Sequence, residues 1–213
     1  RVAPRTGGLL LARAADSLLL ASDGDLVIDQ VYTPADATLA SSGHIGARPQ
    51  APTETGADLN IRAGSLTLAA GGRIGDAGSP FDALALRLDG PLVLSSGAGA
   101  WLSASGPRLE LASASVFGGP LRLDADVAQL QLTGALQASG SMGLTSTGAL
   151  QQAATSAITA TALTLQAGGA VELAGRNTVA DSLQVRAGAG LQLAGTTVVG
   201  GSAVGGAPAG GSV

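Results

Sequence analysis

The chain of 213 residues has no cysteine, no lysine and a single histidine. Its only aromatics are Tyr32, Phe81, Trp101 and Phe117. Each shortage excludes something. Without thiols there is neither a disulfide framework nor a thiolate metal site. That also suits a chain kept unpaired until export is complete. With no basic run and a net charge of −4, nucleic acid is not an expected partner. A single compact core would draw on aromatics, whereas the apolar residues here are leucine, alanine and valine. Every apolar run is cut by Gly, Asp or Ser within a few residues, so none reads as a transmembrane helix. A transmembrane barrel would need strands of about 9–11 residues and aromatic girdles, and the sequence offers neither. Arg1-Val2-Ala3-Pro4-Arg5 leads straight into a strand-like run with no signal-peptide pattern, so the sequence reads as a piece of a longer polypeptide.

What is present is recurrence. Leu66, Leu86, Leu109, Leu130, Leu150, Val171 and Leu191 form one lane at steps of 20–23 residues. A second lane runs Ile61, Phe81, Leu102, Leu123, Leu144, Leu165, Val185, and a third Ile74, Leu94, Val116, Leu136, Ile158, Val179, Val199. A period near twenty marks a solenoid, in which each repeat buries its apolar face only by stacking on a neighbour. Locally the apolar residues alternate with polar ones, as in Leu109-Glu110-Leu111 and Leu130-Gln131-Leu132. Alternation of period two over three to five residues means strand. Gly, Ala, Ser and Asp between the strands make corners, and paired glycines such as Gly71-Gly72 exclude a helical solenoid. The fold class predicted is all-β: a parallel β-helix with three strand faces over residues 1–199, in about nine coils.

Residues 17–26 align with 65–74 without a gap, which places Leu11, Leu18 and Leu26 in the same three lanes, one or two coils earlier. The 48 residues from Leu18 to Leu66 exceed two regular coils. An extra coil at Val31, Leu39 and Ile45 takes up part of the excess, since Gly43-His44-Ile45-Gly46 echoes Gly72-Arg73-Ile74-Gly75. The surplus then falls in 46–58, whose two prolines and polar content predict a loop. Arg48, Gln50, Thr53 and Glu54 are its candidate interaction residues, because loops on rigid scaffolds carry recognition. Residues 200–213 lose the alternation and read as a Gly/Ala-rich flexible end.

Residues 66–81 follow a recognisable pattern: Leu66-Thr67-Leu68, Ala70-Gly71-Gly72, Ile74-Gly75, then Ser79-Pro80-Phe81. It resembles the repeat of the filamentous-haemagglutinin-like exoproteins of Gram-negative bacteria. The resemblance implies a right-handed parallel β-helix, export by the two-partner route through an outer-membrane transporter, display at the cell surface, and adhesion. Bound partners would then be surface glycans or proteins. The function expected is the structural shaft of such an adhesin. The alternatives are the stalk of a contact-dependent toxin-delivery exoprotein and a carbohydrate-active β-helix enzyme.

The outward residues Thr67, Arg87, Glu110, Gln131, Gln151, Glu172 and Gln192 are expected to form one polar stripe. It reads as a ligand-binding face or as a solvated strip that keeps the rod soluble. Arg87 would pair with Glu110 one coil away, and Gln131 would bond Gln151. Little else suggests chemistry. His44 sits in a Gly-His-Ile-Gly corner with no second histidine. Asp23/Asp25 and Asp124/Asp126 are short of the six to eight oxygens calcium takes, and read as turn caps. Asp89, Asp124 and Asp181 fall at corners of different coils rather than as the paired carboxylates of a glycosidase. No enzyme activity, cofactor or metal is expected. Self-association through exposed terminal coils is a further expectation.

Overall fold

The computed structural model describes residues 10–47, 59–76 and 83–206. All regular structure among them is β: twenty-one strands paired in parallel within one continuous sheet that winds about nine times. The alternation explains the winding. In the strand Leu121–Leu132, Leu121, Leu123, Ala125 and Val127 are buried, while Arg122, Asp126 and Ala128 are exposed. Parallel pairing with the coils on either side satisfies the backbone. The corners continue the ladder: Thr133 N–H donates to the Leu111 carbonyl at 3.1 Å, and Gly148 N–H to the Val127 carbonyl at 2.9 Å.

The core is a set of vertical files. One face stacks Leu26, Ile45, Ile74, Ala100, Leu121, Met142, Leu163 and Leu183. The second stacks Leu109, Leu130, Leu150, Val171 and Leu191. The third stacks Leu20, Leu39, Leu68, Leu94, Ala114, Leu136 and Ile158. Apart from Leu191, all of these are buried. At roughly 1.5–3 kcal/mol per buried large aliphatic, stacking is the main source of stability.

The extra coil lies where the sequence puts it: Leu39 sits between Leu20 and Leu68, and Ile45 between Leu26 and Ile74. Several lane assignments need correction. Leu66 stacks on Leu92, not Leu86; Leu86 stacks on Ala104, not Leu109; Ile74 stacks on Ala100, not Leu94; and Ile61 stacks on Leu86. The cause is one long step. Ile74 to Ala100 is 26 residues, so a uniform step near twenty pairs the wrong coils. Leu11 points outward, 63% exposed beside Gln30, because Leu10 is the inward residue at the register shift there. Phe81, placed in the second lane, lies outside the described residues. The third lane also merges two files of one face. Leu94, Leu136 and Ile158 stand in one, and Val116, Val179 and Val199 in the next, two residues along. A slip of two keeps a side chain pointing inward, so alternation alone does not reveal it.

The winding also runs further than 199. Ser202–Gly206 forms a strand on Ser182–Arg186. The flexible end read from residue 200 is therefore strand as far as 206, because ladder pairing uses the backbone and needs no side-chain alternation. Gly46 and Ala47, read as loop, belong to the strand Ile45–Ala47, and 48–58 lie outside the described residues.

Two packing details hold the coils at strand spacing. Gly97 lies under the Gly71 carbonyl, and a Cβ at position 97 would overlap that oxygen. Inside the core, one polar pair replaces leucines. Gln152 Nε2 donates to Asn177 Oδ1 at 2.7 Å, and Asn177 Nδ2 donates to Gln152 Oε1 at 3.1 Å. Gly175 N–H also donates to Gln152 Oε1, at 3.2 Å. This completes the bonding that buried amides need.

Candidate functional surface

The polar stripe is real over five coils. Glu110, Gln131, Gln151, Glu172 and Gln192 are vertical neighbours. Its lower end differs from expectation. Glu110 stacks beside Pro91, whereas Arg87 stacks on Arg62 and Thr67 on Val93. The predicted Arg87–Glu110 pair is therefore not made, since the long step shifts Arg87 out of that file. Glu110 instead meets Arg108 of its own strand at 3.6 Å and accepts from Thr133 Oγ1 at 2.9 Å. The amide ladder also takes a diagonal course. Gln129 Nε2 donates to Gln151 Oε1, and Arg108 donates to Gln131 Oε1. Each stripe residue with a bonding partner thus has its polar atoms tied to neighbours on the rod.

A second feature lies at the corner of the early coils. His44 N–H donates to Asp25 Oδ1 at 2.8 Å, and Arg73 N–H donates to His44 Nδ1 at 2.9 Å. Acceptance at Nδ1 leaves the proton of the neutral imidazole on Nε2. Arg73 then reaches Asp76 at 2.8 Å. Asp25, His44, Arg73 and Asp76 line an open depression of about 300 Å³. Each of the first two side chains caps a backbone amide of the following coil, so this lone histidine has a structural task. Gly43 and Gly72 make room for the caps: a Cβ at either would strike Asp25 Oδ1 or His44 Nδ1.

Asp124 and Asp126 also act locally. Arg122 Nε donates to Asp124 Oδ2 at 2.9 Å, and Thr147 Oγ1 donates to Asp126 Oδ1 at 3.0 Å. Among the described residues no group of three or more His, Cys, Asp or Glu side chains is placed to hold a metal ion. Arg48, Gln50, Thr53 and Glu54 lie outside the described residues.

One file escapes the sequence reading. Arg13, Tyr32, Arg62 and Arg87 are successive vertical neighbours and all are exposed. The Arg62 guanidinium sits over the Tyr32 ring, 5.7 Å from its centroid. The signal was the position of each arginine relative to an inward neighbour: Val31, Ile61 and Leu86 precede Tyr32, Arg62 and Arg87. It becomes legible only once the long steps are located. No protein-family model, curated protein or solved structure matches the chain.

Proposed function

We propose that the protein is a shaft segment of a secreted surface adhesin of a Gram-negative bacterium, holding a binding region away from the cell. The observation that carries this reading is the unbroken stacking of about nine coils on a common set of files. A rod of stacked coils transmits position along its length, and its side chains are spent largely on bonding coil to coil. The pattern over 66–81 resembles filamentous-haemagglutinin-like repeats and supports export and display. Antibodies raised against residues 99–206 test it. On intact cells of the source organism they should label the surface, and Fab fragments should reduce attachment of the cells to a substratum or to one another. Labelling that requires permeabilised cells would overturn the proposal.

A further inference from the structure

The file Arg13–Tyr32–Arg62–Arg87 combines features that a merely solvated surface does not need. It holds three of the eleven basic residues and the one tyrosine of a chain whose net charge is −4. Arg62 and Arg87 are in direct register, one coil apart, at a spacing of about 4.8 Å for the backbone. Like charges directly opposite one another on a sheet destabilise it. Of the other described arginines, Arg73, Arg108 and Arg122 each hold a carboxylate, and Arg176 and Arg186 hold none but stand beside the uncharged Ala157 and Gln166 rather than beside another arginine. Arg13, Arg62 and Arg87 have no ion pair with a carboxylate among the described residues. Arg13 is bonded only to the neutral Gln30, at 3.4 Å, and Arg62 only faces the ring of Tyr32. The nearest acidic residue in sequence, Asp89, is exposed two positions beyond Arg87.

We infer that this file is a binding track for a linear polysaccharide carrying a carboxylate on each sugar. The planar guanidinium matches a carboxylate through two parallel hydrogen bonds, which a lysine cannot do. Charges on the adjacent coils of Arg62 and Arg87, with a third at Arg13, suit a ligand that repeats its charge along a chain. Nucleic acid fits less well. Stacked bases need open aromatic faces, and the single tyrosine has a ring face covered by Arg62. An acidic peptide fits less well too, because strand addition needs a free sheet edge and the strands bearing Tyr32, Arg62 and Arg87 are paired on both sides. The bound anion offsets the repulsion between Arg62 and Arg87, so the site is complete only when occupied. The inference supplies a partner to the shaft reading and takes its biological setting from it. Its test uses purified protein alone, so the two fail separately.

Binding of the purified chain to polygalacturonate is measured calorimetrically at low ionic strength, where surface charges are least screened. The Arg62→Gln/Arg87→Gln variant should bind about tenfold more weakly or worse, since each lost charge-assisted contact is worth on the order of a factor of ten. Arg62→Lys/Arg87→Lys should recover only part of the affinity. Arg186→Gln, on a file with the neutral Gln166 and Gly206, should bind as the parent does. Unchanged thermal melting identifies the variants as folded, and all positions changed are exposed. The inference is overturned by absent binding, by an equal loss in Arg186→Gln, or by full recovery with lysine. It is also overturned if dextran sulfate or single-stranded poly-dT binds as tightly as polygalacturonate.

Discussion

Single positions in a stacked winding are constrained from above and below as well as from the sides. Leu130 is fully buried between Leu109 and Leu150. Leu130→Ala should cost about 2–5 kcal/mol, and Leu130→Asp should unfold the array by placing a charge in a narrow apolar file. Circular dichroism and a thermal melt check both, and an unchanged melt for the aspartate variant would refute the assignment of the file. Glycines divide by what lies over them. Gly97→Ala drives a Cβ into the Gly71 carbonyl and should lower stability by about 1–3 kcal/mol, whereas Gly24 has open space around it and should accept alanine. The buried amide pair gives a third contrast. Asn177→Leu strands Gln152 and should cost about 1–3 kcal/mol, while adding Gln152→Leu should restore most of it. A double variant no more stable than Asn177→Leu would mean that the two amides are not coupled.

At the scale of strands and corners, alternation showed which residues face inward. It could not show which residue stands above which. Leu109-Glu110-Leu111 reads as a strand from its own three residues, but its vertical neighbours depend on every residue between coils. The run from 99 to 206 keeps steps of 19–22 residues, and there files such as Leu109 to Leu191 are legible directly. Below it, the steps from Ile45 to Ile74 and on to Ala100 are 29 and 26 residues. Prolines betrayed the first surplus. The second holds Pro80 but lies within the 66–81 pattern, which reads as an ordinary coil, so alternation alone places Arg87 in the stripe instead of in the arginine file. The histidine cap was hidden for another reason: a side chain that bonds the next coil's backbone leaves no periodic trace. The strand Ser202–Gly206 provides an element-scale prediction. It covers Leu183 and Val185, which are 6% and 2% exposed. Ending the chain after Gly200 should lower the melting temperature by several degrees; an unchanged melt would return 200–206 to the role of a tail.

Over the whole molecule the contacts are between neighbouring coils, so stability adds coil by coil rather than through one shared centre. Removing 121–141, a full coil, places Met142 where Leu121 stood, and the shortened rod should fold with a similar melt. Removing 121–130 alone leaves half a coil at the junction and breaks the stacking there, so this variant should melt well below the full-coil deletion. Protection should also be graded. Leu193, Val198 and Val204 are 52%, 57% and 63% exposed on the last coils, against 0% for Leu130 and Leu150. Hydrogen exchange should therefore be fastest in 191–206 and slowest in 121–165, and uniform protection would contradict coil-by-coil behaviour.

The ladder bonds point along the long axis, and this governs the response to tension. A pull applied lengthwise does not shear many bonds at once; it loads the terminal winding alone, which peels away before the next one feels the force. Each released winding of about twenty residues exchanges about 4.8 Å of height for roughly 70 Å of slack chain. Under tension such a winding would lengthen in steps at nearly constant force, one coil at a time.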